Sequence, residues 1–338
     1  MKRILFYSSV NSLELFKTQK FYQIDISILK DLGYDVLLSN RIFDSLLFWK
    51  YDILFSYFYR YSFFAALLAK CFGKKTYFTG GIDSLDSDYA SAFNYKIQAL
   101  FFKLCYWVAD SCIIVSQSDL KNIFKVSSLK KKLSYSEHVI NTKLFIADVP
   151  KEKIFTSIVW MGDEGNVVRK GVDKALQIFA ELKKIPEFVD YRFVIIGRKG
   201  EGEVLVRSII DKYNLKGSVE LKGEVSEEHK INLLKQSKYY FQLSLYEGFG
   251  LAALEALCAN NIIIHSGKGG LANPIYKEQL LFDIDNDFDS ELLKLVNKLA
   301  CFTPITSYDN LLEYYDIQRR KDDFEAIIVN GKSNYKLK

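Results

Sequence analysis

The sequence predicts two consecutive α/β halves, each built on a doubly wound parallel sheet, for the 338 residues of this chain. Short apolar runs alternate with longer helical patterns along its length, which is typical of strand–helix repeats that form parallel sheets. The alternation restarts after a break at 147–153, where Pro150 stands beside a small charge cluster. The length suits two domains. We therefore expect an N-terminal domain at 1–149, a second domain at 150–310, and a C-terminal helix and tail at 311–338.

The first half contains six apolar runs of strand length, with helical patterns between them. The predicted strands lie at 4–8, 36–38, 53–56, 76–79, 111–115 and 133–137. The predicted helices lie at 18–32, 61–71 and 93–109, and we expect the last of them to be buried. Gly33 follows the first helix, at the position where a left-handed glycine commonly ends a helix.

The second half repeats this organisation. Its predicted strands lie at 154–161, 192–196, 219–221, 239–245, 262–265 and 280–282. Its predicted helices lie at 172–184, 203–213, 226–236, 250–259 and 290–299. Ser226 is a suitable N-cap for the third of these helices. A polar helix of mixed charge at 311–328 follows.

Composition excludes several classes of protein. The net charge of +5 is mild for this length, so we expect no nucleic-acid partner. The five cysteines form no Cys-x-x-Cys pair and only three histidines occur, which argues against a metal site or a disulfide framework. The chain starts directly on a strand-like run, and charges interrupt its most apolar zone. We therefore expect no signal peptide and no membrane-spanning helix. A cytoplasmic protein fits these observations.

The segment 244–257 is the most informative stretch, because it reads as the end of a strand, a glycine turn and a helix. Glu247 precedes the turn and Glu255 lies eight residues later. A helix that begins near Gly250 directs backbone N–H groups and the positive end of its dipole at an anion, and phosphate is the usual one. A carboxylate just before such a site repels phosphate, so Glu247 needs another task, such as binding a hydroxyl or a cationic transition state. Glu255 is placed to reach a ribose.

This segment resembles the Glu-x7-Glu motif of retaining glycosyltransferases of family 4, which have the GT-B fold. The likeness continues through 259–270, and segments 138–145, 168–173 and 193–197 are similar to further parts of the family pattern. It covers about 138–283, and only the order of elements matches before that. The resemblance implies two Rossmann-like domains that face a cleft, where ligands bind beyond the carboxyl ends of the strands. The same resemblance implies that the helix at 311–328 packs back toward the first domain.

The resemblance also implies the roles of individual residues. Glu247 would contact the donor sugar and stabilise the transferring centre, and Glu255 would hold the ribose hydroxyls. Lys170 would bind the diphosphate, with Arg169 as a second cation. The remaining donor contacts fall on backbone groups and glycines, namely Phe249, Gly250, Leu251, Gly269 and Gly270.

The physical chemistry of nucleotide-sugar cleavage agrees with this division. Negative charge grows on the departing diphosphate, where Lys170, Arg169 and a helix N-terminus act. On one helix, the two glutamates would stand roughly 12 Å apart along the axis, wider than the roughly 5–9.5 Å of a glycosidase pair. We expect no metal and no cofactor beyond a nucleotide-sugar co-substrate of UDP or GDP type, because the protein's own cations bind the diphosphate.

The sequence departs from the family pattern in both halves. Asp163 follows Gly162 where many members have an arginine, and Arg169, or Arg198 after Gly197, are the candidates to replace it. In the first half, Asp83 ends a Gly-Gly-Ile-Asp run where many members place a histidine. Asp83 either contacts the sugar or acceptor, as a third catalytic residue, or simply caps a tight turn.

The aromatic belt at 43–61 has two interpretations. It contains nine aromatic residues, Trp49, Phe55, Tyr57, Phe58 and Tyr59 among them, and two basic residues, Lys50 and Arg60. Most of the belt fits a strand and a helix of the core, while its amphipathic, basic character also suits contact with a membrane interface. We expect core for most of it.

The resemblance, together with this donor-site chemistry, implies a metal-independent, retaining hexosyltransferase. It would move a sugar from a UDP- or GDP-sugar to a glycan or lipid-linked acceptor in bacterial surface polysaccharide synthesis, at the inner face of the membrane. Two alternatives stay open. One is a catalytically silent nucleotide-sugar-binding subunit, and the other is another GT-B enzyme, such as a phosphorylase or an epimerase.

Overall fold

The computed structural model of the chain describes residues 1–128, 130–146, 149–302 and 309–332. It divides into two compact units. The first unit consists of Met1–Ile140 and Tyr314–Lys338, and the second unit of Asn141–Glu313. The division falls before the break predicted at 147–153, which lies partly outside the described residues. The predicted tail beyond 332 also lies outside them.

Twelve strands are present in the described part of the chain, close to the predicted runs. They are β1 Arg3–Ser8, β2 Asp35–Ser39, β3 Ile53–Tyr57, β4 Lys75–Thr79, β5 Ser111–Ile114, β6 Leu133–Tyr135, β7 Glu152–Ile158, β8 Arg192–Ile196, β9 Val219–Gly223, β10 Ser237–Gln242, β11 Ile262–His265 and β12 Leu280–Leu281.

Thirteen α-helices connect and flank these strands within the described ranges. They are α1 Leu15–Thr18, α2 Lys20–Asp31, α3 Ser62–Cys71, α4 Ala92–Val108, α5 Gln117–Val126, α6 Glu164–Arg169, α7 Val172–Leu182, α8 Glu203–Lys212, α9 Glu227–Gln236, α10 Leu251–Cys258, α11 Phe288–Cys301, α12 Asp309–Tyr314 and α13 Ile317–Phe324.

Each unit contains one six-stranded sheet whose strands pair in parallel. The order is β2-β1-β3-β4-β5-β6 in the first unit and β12-β11-β10-β7-β8-β9 in the second. In the second unit this is the doubly wound order 3-2-1-4-5-6, which reverses between its first and fourth strands, β7 and β10. The two predicted Rossmann-like domains are therefore confirmed. Ligands of such sheets bind at the carboxyl ends of the strands where the order reverses.

The first sheet has a different apolar cluster on each face. Side chains of α3, α4 and α5 cover one face and those of α2 and α13 cover the other. Because α13 belongs to this unit, the C-terminal helix packs on the first domain, as predicted. Arg320 of α13 forms a fully buried ion pair with Asp25 of α2, with two N–O distances of 2.7 Å.

Several helices differ from the sequence-based expectation. The single helix predicted at 311–328 is divided into α12 and α13, because Asp316 caps a new helix by accepting from the N–H of Gln318. Helix α5 begins after Ser116, whose hydroxyl caps it by accepting from the N–H of Asp119. Helix α6 occupies a segment that we predicted to be a loop. It has only six residues and begins because Asp163 accepts from the N–H of Asn166 at 2.6 Å. An Asp N-cap stabilises so short a helix locally, where no apolar periodicity signals it.

Candidate functional site

The loops that follow β7 and β10 lie against each other at the switch point of the second unit. Gly171, at φ +68°, connects α6 to α7, and a Cβ there would stand 2.0 Å from the carbonyl oxygen of Leu243. The N–H of Leu245 donates to the carbonyl of Arg169 at 2.8 Å. Only glycine permits this approach, because the backbone is left-handed and has no room for a side chain. The contact brings Lys170 to the loop that carries Glu247.

Lys170 and Glu247 form a partly buried ion pair. Lys170 Nζ lies 2.7 Å from one carboxylate oxygen of Glu247 and 3.0 Å from the other. Two of the residues assigned to catalysis from the sequence are therefore in direct contact. Such a pair can stabilise both charges that develop when one bond breaks. The carboxylate stabilises the centre that becomes positive, and the cation stabilises the leaving group that becomes negative.

A chain of buried hydrogen bonds orients the Glu247 carboxylate from inside the sheet. The N–H of Ile158 donates to the hydroxyl of Tyr240 at 3.2 Å, and that hydroxyl donates to Gln242 Oε1 at 3.2 Å. Gln242 Nε2 then donates to Glu247 Oε2 at 3.2 Å and to the Ser244 hydroxyl at 2.8 Å. The Ser244 hydroxyl donates to the same oxygen, Glu247 Oε2, at 3.0 Å. The sequence did not single out Gln242 or Tyr240, because each reads as an ordinary strand residue.

Glu255 forms a second ion pair, with a residue that the sequence did not indicate. Lys230 Nζ of α9 lies 2.7 Å from both carboxylate oxygens of Glu255 and 3.1 Å from Glu227. The side chain of Glu255 is only 6% exposed. If Glu255 binds a ribose, as predicted, the ribose hydroxyls would share its carboxylate with Lys230. The only sequence signal for Lys230 was its place in the first turn of a capped polar helix.

The glycines near Glu247 allow its loop to be compact. Gly250, at φ +88°, precedes the first residue of α10, so the predicted helix start is confirmed. A Cβ on Gly269 would stand 2.3 Å from the carbonyl oxygen of Glu247, and one on Gly270 would stand 2.6 Å from the Cα of Phe249. The Gly-Gly turn therefore needs glycine in order to pack on this loop, whether or not a ligand is bound. Its contact with a sugar–phosphate stays a prediction, as do the backbone contacts of Phe249 and Leu251.

The two candidate arginines differ in their surroundings. A guanidinium nitrogen of Arg169 donates to the side-chain oxygen of Asn166 at 2.7 Å, which holds it on α6. Arg198 is exposed in the loop after β8. A Cβ on Gly197 would stand 2.0 Å from the Val159 carbonyl oxygen, so this glycine serves the packing of adjacent loops. Neither arginine is shown to replace the one missing after Gly162.

The first unit places Asp83 in a turn. It is exposed and opens a short 3-10 turn, Asp83–Leu85, after β4. Below it lies the fully buried Asp119, whose carboxylate accepts from the N–H of Ile82 at 3.3 Å. Burial, and secondarily the charge of Asp83, raise the pKa of Asp119 to about 8. This geometry agrees with the turn interpretation of Asp83, and its contact with a sugar or an acceptor stays a prediction.

The described residues contain neither a metal-binding cluster nor a helix fit to span a membrane. No group of three or more His, Cys, Asp or Glu side chains among them lies where it could hold a metal ion. Within the same ranges, none of the helices combines the length and the apolar character needed to cross a bilayer.

Comparison with known proteins identifies the second unit by its sequence. Residues 165–299 match the family model "Glycosyl transferases group 1". The chain is 32% identical over 163 residues to the GDP-mannose:cellobiosyl-diphosphopolyprenol alpha-mannosyltransferase of Xanthomonas oryzae pv. oryzae, which covers 42% of this chain and 40% of that protein. It is 25% identical over 215 residues to a phosphatidylinositol N-acetylglucosaminyltransferase component of Arabidopsis thaliana, covering 62% and 46%. The chain thus spans less than half the length of these curated relatives.

Comparison with solved structures identifies the fold. The Anabaena HepE protein, solved in complex with UDP-glucose, superposes with a TM-score of 0.74 at 12% identity, and the match covers 98% of this chain and 100% of that one. At such low identity the likeness establishes the fold alone, which is the GT-B fold with two Rossmann-like domains.

Proposed function

We propose that this chain, which belongs to the group 1 glycosyltransferases through its second unit and has the GT-B fold, transfers a sugar from a nucleotide-diphosphate donor to a lipid-linked or glycan acceptor. The proposal includes retention of configuration at the transferred carbon and no requirement for a metal. The observation that carries it is the Lys170–Glu247 pair at the switch point of a doubly wound sheet, directly before the N-terminus of α10.

The proposed reaction breaks the bond between the anomeric carbon and the donor phosphate oxygen. An acceptor hydroxyl oxygen forms the new bond to that carbon, and its proton passes to the departing diphosphate. Glu247 stabilises the positive charge that develops on the sugar. Lys170 and the N-terminus of α10 stabilise the negative charge on the diphosphate, which substitutes for the charge of a metal ion. Glu255 binds the ribose, steadied by Lys230.

The nature of the acceptor is proposed from the relatives. The name of the Xanthomonas enzyme describes a diphosphopolyprenol acceptor, and that of the plant relative describes phosphatidylinositol. Both are lipids that carry a polar head. We therefore propose a lipid-linked acceptor for this chain, used at the cytoplasmic face of a membrane during surface polysaccharide synthesis.

Release of free nucleoside diphosphate from donor sugars tests the proposal. The wild-type chain is incubated with UDP-glucose, UDP-N-acetylglucosamine or GDP-mannose, with and without polyprenyl-diphosphate-linked sugar. Wild type should release UDP or GDP in at least one mixture. Glu247→Gln should lower this rate by roughly 10²–10³-fold, because a charged group aimed at the developing charge is lost. Glu228→Gln, an exposed glutamate on α9, is the matched control and should leave the rate unchanged.

One observation favours the alternative of a catalytically silent protein. Asp163, where the family commonly has an arginine, is engaged in capping α6. A silent protein would bind nucleoside diphosphate and release none from any donor, in wild type as in Glu247→Gln. The same assay, run beside a binding measurement, separates the two functions.

A further inference from the structure

We propose that an exposed aromatic and basic face of the first unit docks on an anionic phospholipid bilayer. This docking surface consists of residues 41–50, α3 and α4. The inference rests on the proposed function, because docking on a membrane would bring the chain to a lipid-linked acceptor. The observations that support it come from the first unit alone.

Helix α4 presents an apolar stripe to solvent. Phe93, Leu100 and Trp107 are 72%, 56% and 67% exposed. They follow one another at intervals of seven residues, which places them on one side of a helix along roughly 20 Å of its axis. Lys96 and Lys103 are exposed between them, at the intervening turns. The opposite side of α4 packs in the core through residues such as Phe102 and Cys105. A soluble helix ordinarily exposes polar residues on this outer side.

Ring contacts continue this stripe across two neighbouring elements. Phe64 of α3 lies 6.1 Å from Phe101 of α4, measured between ring centroids. At the other end of α3, Phe72 stacks on Phe48 at 4.3 Å. The segment 41–50 adds two further exposed aromatic side chains, Phe43 at 76% and Trp49 at 59%. Aromatic side chains of α3 and its C-terminal end therefore contact both α4 and segment 41–50, and a group of exposed apolar side chains of this size marks a binding surface.

Part of the aromatic belt of 43–61 therefore lies in the core, and part of it is exposed. The aromatic residues of β3 and the residues next to it, Tyr51, Phe55, Tyr57 and Tyr59, are buried as predicted. The residues before β3, including Phe48 and Trp49, are exposed and belong to the docking surface. The stripe on α4 lies outside the belt and was predicted to be a buried helix, which is correct for only one side of it.

The charges on this surface select an anionic partner. Its basic residues are Arg41, Lys50, Lys70, Lys96 and Lys103, of which Lys70 is paired with Asp110 at 2.9 Å. Its only acidic residue, Asp44, accepts a hydrogen bond from the Ser39 hydroxyl at 2.7 Å and is partly buried. Helix α4 has no acidic residue. Tryptophan and phenylalanine beside lysine are the residues that hold a protein at the headgroup level of a membrane, and lysines add attraction to anionic lipids.

A lysine-lined cleft borders the surface at the end of α4. It has a volume of about 250 Å³ and lies at the start of β4, β5 and β6, with Lys75, Lys131, Lys132 and one carboxylate, Asp110, in its wall. Lys132 Nζ donates to the backbone carbonyl of Trp107 at 2.8 Å, which places this cation beside the stripe. Lys132 is therefore not the freely solvated loop residue that its Lys-Lys-Lys run suggests. The cleft extends the positive charge beyond the aromatic residues.

Flotation with lipid vesicles tests the inference on the full chain. We expect wild type to float with vesicles of phosphatidylcholine mixed with phosphatidylglycerol, and much less with phosphatidylcholine alone or at high salt. Phe93→Ser with Trp107→Ser should abolish flotation. Lys96→Glu with Lys103→Glu should lower partitioning by at least roughly 30-fold, because each lysine contributes about a factor of five near an anionic surface. All four side chains are exposed, so the fold should persist.

Matched variants on the second unit provide the controls. Val204→Ser with Leu293→Ser removes two side chains that are 69% and 64% exposed, and Lys212→Glu with Lys277→Glu reverses two exposed charges. These should float as wild type does. Wild type that fails to float with anionic vesicles would overturn the inference, as would double variants of α4 that float normally. A dimer that dissociates on Phe93→Ser with Trp107→Ser, without any vesicle binding, would instead assign the face to self-association and would equally overturn it.

The same samples separate this inference from the proposed function. Nucleoside-diphosphate binding by the α4 variants should match that of wild type, since the donor residues belong to the second unit. Loss of flotation with intact nucleotide binding supports the docking surface, whereas absence of nucleotide binding in wild type contradicts the donor site and leaves the flotation result to be judged independently.

Discussion

Lys170 Nζ lies within 3.0 Å of both carboxylate oxygens of Glu247, so the cation assigned to the diphosphate rests on the acid assigned to the sugar. The two charges compensate each other in a site that is mostly shielded from water. A bound diphosphate would share Lys170 with Glu247, and cation and carboxylate would then stand on either side of the bond that breaks. The two residues would therefore act together at the bond that breaks.

Lys170→Ala should weaken the binding of nucleoside diphosphates. It removes a charge-assisted contact worth about 1.5–3 kcal/mol, and it leaves Glu247 uncompensated, which repels phosphate. The dissociation constant of UDP or GDP, measured by titration calorimetry, should rise by roughly 10–100-fold. Lys212→Ala, an exposed lysine of the same unit, should have no effect. An unchanged dissociation constant for Lys170→Ala would remove this residue from the site.

Gln242→Leu should lower turnover while leaving nucleotide affinity nearly unchanged. Gln242 is buried, and its amide donates both to Glu247 Oε2 and to the Ser244 hydroxyl, which itself donates to Glu247 Oε2. Without the amide, we expect kcat to fall about tenfold, because the carboxylate loses its orientation. Gln242→Glu, which keeps the shape and adds a charge, should shift the pH profile of kcat as well. A parallel loss of nucleotide binding and stability in both variants would show a purely structural role.

The sequence singled out the residues assigned to the donor site but not the side chains that contact them. The strand, turn and helix around Glu247 have strong local signals, namely apolar alternation, Gly250 and the helical run after it. The contact of Lys170 with Glu247 spans 77 residues and depends on the close approach of Gly171 to Leu243. Such an approach follows from sheet order, so no local pattern could reveal it. The contact between Lys230 and Glu255 could not be predicted from the sequence for the same reason.

Arg320→Met should destabilise the first unit by about 3–5 kcal/mol, since it leaves the buried Asp25 carboxylate without its cation. Arg320 also donates to the carbonyl of Glu137, so the substitution loosens α13 from the sheet. The measurement is urea unfolding followed by near-UV circular dichroism. The matched control is Arg207→Met, an exposed arginine paired with Glu203, which should cost less than about 1 kcal/mol. Similar losses of stability from the two substitutions would contradict the proposal that the buried ion pair stabilises the packing of α13.

The ion pair between Arg320 and Asp25 could not be predicted from the sequence. Arg320 and Asp25 are 295 residues apart and each lies on a helix that reads as polar or mixed. The return of the C-terminal helix to the first domain was predicted from the family resemblance and is confirmed. The residues that fasten it were not, because a buried arginine has no sequence signature that distinguishes it from a surface arginine.

Asp119→Asn should flatten the pH dependence of stability between about pH 4 and pH 8. Burial raises the pKa of Asp119 from 3.8 to about 8 in the folded chain, so the native state binds one more proton than the unfolded state across that range. Stability of wild type should therefore fall as pH rises through it, by at most about 1.4 kcal/mol per pH unit from this group. Asparagine keeps the acceptor for Ile82 and cannot ionise. Denaturant unfolding at pH 5 and pH 8 checks the difference, and equal slopes for both proteins would contradict it.

Nucleotide binding by the wild-type chain tests the donor site most directly. The thermal midpoint is measured with UDP, GDP, ADP and CMP, each alone. The account predicts that UDP or GDP raises the midpoint, since a ligand at a hundredfold excess over its dissociation constant stabilises the native state by about 2.7 kcal/mol. It also predicts that Glu247→Gln keeps this shift while Lys170→Ala reduces it. No shift with any of the four nucleotides would contradict the assignment of the switch point of the second unit as a nucleotide-sugar site.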